Sequence, residues 1–282
     1  MMNKRGFPAV SARVVALLAT AFCLTVALFG TAPARAQALL QQYQVDIDVQ
    51  AGSADRQDRV IDAPVDLTAF LAGVPGDLDP TSLQVVETDS GGTITDFAVP
   101  FQFDPADGFD PATNAAGTVV FLMDGTTTAG QTRYFQLAFD VAGACPDCPA
   151  PPIVSNPDSV DSHTYQNQDT FEIDTPRATS LYHRQGGGLA CLIDGDALDW
   201  ISFRDGPGSG AAGEFRGIPN LVFDAGVASK RFFHPGFTNA TTRLVSSGPL
   251  KVTLRSEAGT PDNFWDVRWE FYPDHARLTI LS

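Results

Sequence analysis

The sequence predicts an all-β protein of two antiparallel sandwiches. Three observations carry that prediction. Most apolar segments alternate apolar and polar residues, the period-two mark of half-buried strands, and no stretch has convincing helical periodicity. Clusters of Gly, Pro, Asp and Ser separate these segments at short intervals, as strand-ending turns do. A Pro-, Ser- and Asp-rich stretch then divides the strands into two groups, the composition of a domain boundary.

The N-terminus comes first. Lys4, Arg5 and Arg13 form a positive region, Val14–Gly30 is an apolar run, and Ala34-Arg35-Ala36 has the small-x-small form of a cleavage site. Residues 1–36 are therefore expected to be a secretory signal peptide, removed after Ala36 or Ala38. An uncleaved anchor is the alternative, but the run is near the lower limit for a membrane span. No later segment is long and apolar enough to cross a membrane, so the mature chain is expected to be secreted or periplasmic.

The first sandwich is expected over residues 40–143. Tyr43, Val45, Ile47 and Val49 alternate with polar residues. Further strands are expected at Arg59–Asp62, Leu83–Glu87, Val99–Phe103, Thr118–Met123 and Arg133–Val141, with one helical turn at Leu67–Ala72. Short strands at this spacing fit an immunoglobulin-like sandwich, although the Cys-Trp-Cys pattern of true immunoglobulin domains is absent. The linker is placed at residues 144–163. Its Cys145-Pro-Asp-Cys148 can close a small disulfide in an oxidising compartment. A redox role needs this motif at the start of a helix, which a Pro-rich linker does not offer. Cys191 is left unpaired and is expected to be buried.

The second unit is expected over residues 164–282. Its strands are expected at Thr170–Thr175, Thr179–Arg184, Leu189–Asp194, Trp200–Phe203, Leu221–Phe223, Thr242–Ser246, Leu250–Ser256, Phe264–Tyr272 and Ala276–Leu281. Trp265, Val267, Trp269 and Phe271 share one strand face, which reads as sandwich core, with a sugar-stacking platform as the alternative. The chain stops within a strand pattern, so this domain is expected to be incomplete and to continue beyond residue 282.

Charge separates the two units. The chain has 18 Lys and Arg against 33 Asp and Glu. The leader removes four bases and no acid, leaving 14 against 33, a net of −19. Residues 37–176 hold 3 bases and 22 acids, whereas residues 177–282 hold 11 of each. So acidic a front half argues against nucleic acid as partner, because phosphate binding needs a positive surface.

The densest group of chemically capable residues lies at Gly210-Ala-Ala-Gly-Glu-Phe-Arg-Gly-Ile-Pro-Asn220 and Phe232-Phe-His-Pro-Gly-Phe237. Glu214 and His234 are the candidate catalytic residues, since a histidine titrating near neutrality serves as general acid or base. Arg184, Arg216, Asn220 and Arg243 are the candidate substrate-binding residues, arginine being suited to carboxylates and hydroxyls. The plainer alternative is a local Glu214–Arg216 ion pair bracing the loop. No cofactor is expected. Asp194-Gly-Asp196-Ala-Leu-Asp199 reads as a hairpin turn, with a calcium loop as the alternative, but it lacks the distal Glu and flanking helices of an EF-hand. Serine-hydrolase, zinc-hydrolase and phosphate-loop motifs are absent.

The second unit also carries Tyr182-His-Arg-Gln-Gly-Gly-Gly188, Asp199-Trp-Ile-Ser-Phe203, Gly213-Glu-Phe-Arg-Gly-Ile-Pro-Asn220 and Phe233-His-Pro-Gly236. In these runs it resembles secreted bacterial proteins of polysaccharide-degrading organisms, with large sandwiches of the galactose-mutarotase-like, or supersandwich, type also seen in polysaccharide lyases. Through Gly130-Gln-Thr-Arg-Tyr-Phe-Gln-Leu-Ala-Phe139 the first unit resembles the accessory sandwich that precedes such domains. The resemblance implies a polysaccharide or oligosaccharide as partner, with lyase-like or glycoside-hydrolase-like action, and assigns no residue a role. A non-catalytic glycan-binding or structural surface sandwich is the alternative.

Overall fold

A computed structural model describes residues 10–13, 39–146, 148, 159–203, 217–218, 221–223, 231–233, 240–260 and 263–281. It is nearly all β and divides into two compact units, Met1–Pro152 and Ile153–Ser282.

In the first unit, β1 (Val10–Arg13), β2 (Tyr43–Gln50), β4 (Leu78–Thr88), β5 (Ile94–Asp96) and β8 (Thr132–Val141) form an antiparallel sheet in the order β1-β2-β8-β4-β5. The second sheet, β3-β7-β6, comprises β3 (Arg56–Asp66), β6 (Phe101–Pro105) and β7 (Ala116–Thr127). Because β1 lies in the expected leader, its cleavage would leave β2 as an edge strand. Alternation places Val45, Ile47 and Val49 on one face of β2 with Phe135, Leu137 and Phe139 of β8. Ile61, Ala63, Val119, Phe121 and Met123 meet them from the other sheet. Fully burying each large apolar side chain contributes about 1.5–3 kcal/mol. The short helix α1 (Thr68–Leu71) matches the expected helical turn.

In the second unit, β9 (Ser159–Tyr165), β10 (Gln168–Asp174), β11 (Ala178–His183) and β12 (Gly188–Asp194) form a sheet in the order β12-β11-β10-β9. A second sheet runs in chain order through β15 (Thr241–Ser247), β16 (Val252–Thr260), β17 (Asn263–Phe271) and β18 (Ala276–Ile280). A hairpin joins β13 (Leu221–Phe223) to β14 (Arg231–Phe233). Phe171, Ile173, Tyr182 and Leu189 of the first sheet share a core with Val252, Leu254, Trp265, Val267, Trp269 and Phe271 of the second.

Local expectations have mixed outcomes. The aromatic face of β17 is core, as expected, and not the alternative sugar platform: Trp265 is 9% exposed and Trp269 5%. The linker is shorter than expected, because Ser159–Tyr165 pairs along its whole length with β10. Trp200–Phe203 is not a strand, since the chain turns there around Asp199. Cys145 and Cys148 form a disulfide, and Cys191 is free and buried.

Candidate functional site

The β11–β12 hairpin organises the chemistry-bearing part of the second unit. Phe203 N donates to Ala190 O, Leu189 and Ile218 exchange two main-chain bonds of 2.8 Å, and Ala240 N donates to Gln185 O. The segment 204–239 is thus flanked by residues bonded to one hairpin, to which Ile218 within it is also bonded. It carries Glu214, Arg216, Asn220 and His234, which lie outside the described residues.

Arg184 and Arg243 are described. The hydroxyl of Thr242 donates to Arg184 O at 2.6 Å, bringing the two main-chain segments together. Their side chains have different surroundings. The Arg184 guanidinium lies 4.7 Å over the Phe171 ring, whereas Arg243 is exposed opposite Arg255 of β16. Beneath this junction Tyr182 Oη, Ser256 Oγ and Thr242 Oγ1 form a buried hydroxyl chain with spacings of 2.6 and 2.7 Å.

The face of the β9–β12 sheet turned away from the core carries a second group, Tyr165, His183 and Cys191, closed over by Asp199–Phe203. His183 is fully buried, its Nε2 3.0 Å from Tyr165 O and its ring edge-on to Phe203 at 4.9 Å. Burial, then hydrogen bonding to Asp199 and its negative charge, pushes the Cys191 thiol up to about 12. Burial also raises the Tyr165 phenol, helped by charge on Cys191 and Asp199. For Asp199 burial acts to raise the pKa. Hydrogen bonds from the main chain of Ser202 and Ile201, from the Cys191 thiol and from the main chain of Leu192 outweigh it and hold the carboxyl low. Cys191 and Asp199 therefore meet with the thiol held protonated, and thiol reactivity requires the thiolate.

Beside this group stands Trp200. It is 66% exposed, and its indole Nε1 donates to Asp194 Oδ2 at 2.7 Å. Asp194 Oδ1 accepts from the main-chain N–H groups of Asp196 and Leu198. The Trp200 bond, followed by the Leu198 bond, lowers the Asp194 pKa. One ionised carboxylate thus fixes both the turn and the ring. Asp194 and Asp199 direct oxygens at main-chain donors, which is the hairpin reading of this segment. Among the described residues no His, Cys, Asp and Glu cluster is placed to hold a metal ion.

No protein-family model and no curated protein matches this chain. Its functional reading therefore rests on its own residues.

The first unit has a cleft of about 400 Å³ lined by Asp46, Asp48, Thr88, Asp89, Tyr134 and Gln136, among others. Its carboxylates disfavour an anionic ligand. Among the described residues no helix is long and apolar enough to cross a membrane.

Sequence reasoning missed the exposed ring of Trp200 by placing it in a strand. The signal that could have found it is the run of three aspartates at 194, 196 and 199. Such a run marks a tight turn, and an aromatic immediately after it sits at the turn's rim. The Tyr165–His183–Cys191–Asp199 group had no sequence signal, because sheet register alone brings its members together.

Proposed function

We propose that this chain is an exported carbohydrate-active protein acting on a polysaccharide, with the second unit making the sugar contact. The observation that carries the reading is Trp200: a large aromatic face open to solvent, its orientation held by Asp194. Fixing an aromatic ring before binding reduces the ordering cost at association. Tryptophan is also prominent among residues that dominate binding energy, pairing an apolar face with one polar handle.

Catalysis in this reading belongs to the segment 204–239. In the lyase form His234 abstracts a sugar proton while Arg216 and Arg243 neutralise the adjacent carboxylate, the charge stabilisation such a step demands. Glu214 is the second candidate acid or base. A non-catalytic glycan-binding module is the second reading. It is favoured by the same Trp200, whose fixed and exposed ring can contact a sugar without any catalytic group.

A glycan screen on the mature protein tests both, read by binding, by ultraviolet absorbance for unsaturated uronic products and by reducing-end release. Product formation that disappears in His234→Ala, with the fold retained, supports the enzyme. Binding without product supports the module. The absence of both overturns the carbohydrate reading.

A further inference from the structure

Antiparallel neighbours directly opposite one another share a sheet face. The register β15-β16-β17 sets Arg243 opposite Arg255 and Arg255 opposite Arg268, three guanidinium groups in one row. The row lies on the face of β17 turned away from the buried Trp265, Val267, Trp269 and Phe271. Like charges directly across strands destabilise a sheet, so such a row calls for compensation. Arg255 has it, donating to both oxygens of Asp266 at 2.9 and 2.7 Å and lying 3.1 Å from Glu257. Arg268 has little: its side chain is 45% exposed and 3.8 Å from Glu270, which Arg277 engages at 2.8 Å. Arg243 is exposed and has no charged partner among the described residues.

The same face bears Arg277 and Lys251, each placed against Glu270. Among the described residues, five cations therefore face three carboxylates (Glu257, Asp266 and Glu270) in a chain whose net charge is −15. At the far end of β17, Phe264 is 53% exposed on this face, opposite Gly259. The glycine has no side chain to screen the ring. Arg243 and Arg268 stand two strand spacings apart, about 10 Å. Phe264 lies four residues along the strand from Arg268, about 13 Å.

We propose that this face binds an anionic glycan, with sugar rings stacked on Phe264 and carboxylate or sulfate groups held by Arg243 and Arg268. Arg255, already tied to Asp266, spaces the exposed Arg243 from Arg268, whose contact with Glu270 is long at 3.8 Å. The proposal rests on the carbohydrate reading above and names its substrate class. The acidic first unit repels polyanions at long range, so anion capture falls to this local excess of positive charge, and its strength declines with added salt.

The test is calorimetric titration of the mature protein with polygalacturonate, a sulfated glycan and a neutral β-glucan, using Arg243→Gln/Arg268→Gln, Arg243→Lys/Arg268→Lys and Phe264→Ala, each checked by circular dichroism. The expected result is salt-sensitive binding of an anionic glycan. The glutamine pair should weaken it at least tenfold, Phe264→Ala should weaken it at all salt concentrations, and the lysine pair should restore most of it. If the glutamine pair does not fold, Arg243→Gln alone carries the test, since Arg243 is exposed. Equal binding of neutral and anionic glycans would overturn the inference and leave the carbohydrate reading standing, as would anionic binding unchanged by the glutamine variants. Binding of no glycan would overturn both.

Discussion

Cys191 shows how position overrides residue type. A thiol is a ready nucleophile as thiolate, yet burial and the Asp199 carboxylate move its pKa from 9.0 to about 12. The folded value lies above the unfolded one. The stability this group contributes is therefore complete below pH 9 and is lost as pH climbs from about 9 towards 12. In the processed chain, where Cys145 and Cys148 are paired, Cys191 is expected to resist an alkylating reagent at pH 8. It should react readily once the protein is unfolded in denaturant. Fast modification of the native protein would contradict the closed arrangement. Sequence gave the burial of Cys191 but not its neighbours. Tyr165, His183 and Asp199 come from separate segments and meet only through pairing of β9 with β10, β10 with β11, and β11 with β12.

Strand packing sets the tolerances one level up. Gly117 of β7 lies opposite Pro105 of β6, and a Cβ there would stand 2.5 Å from Phe103 Cζ and 2.7 Å from Asp104 O. Gly117→Ala must displace the ring and the strand, at a cost of about 1–3 kcal/mol. A lower thermal midpoint is expected for it, whereas Gly195→Ala, with nothing within 4 Å of its Cβ, should melt close to the parent. Equal melting of both variants would show that β6 yields freely. Strands with strict alternation, β2 and β17 among them, were legible because one face is buried and the other is not. The polar β9 was not. It is an edge strand whose partner β10 supplies the pairing that its own composition does not advertise. The start of β4 was hidden for another reason. Asp79-Pro80 reads as a turn, and the strand passes through it with a register shift before Gln84 that accommodates a residue lacking an N–H.

Across the whole molecule the two units differ in charge and in what they present. The first is strongly acidic and presents a carboxylate-lined cleft. The second is closer to balance, with 11 Lys and Arg against 16 Asp and Glu over residues 153–282, and presents an anchored tryptophan and an arginine row. The class of fold was legible from alternation and turn composition. The contact surfaces were not, because whether an aromatic stacks in a core or faces solvent depends on which sheet face it occupies. Trp265 and Trp269 went inward, while Trp200 stayed out.

That division makes the central claim directly measurable. Of the three tryptophans, Trp200 is 66% exposed while Trp265 and Trp269 are at most 9% exposed. A red-shifted, readily quenched component of the fluorescence therefore belongs to Trp200. Titration of the mature protein with polysaccharides should shift that component to the blue and protect it from acrylamide, saturably and for particular glycans. Trp200→Phe should lose the signal and weaken binding while keeping its fold. Absence of any response across the glycans, or an unchanged response in Trp200→Phe, would contradict the assignment of the second unit as the sugar-contacting part of the protein.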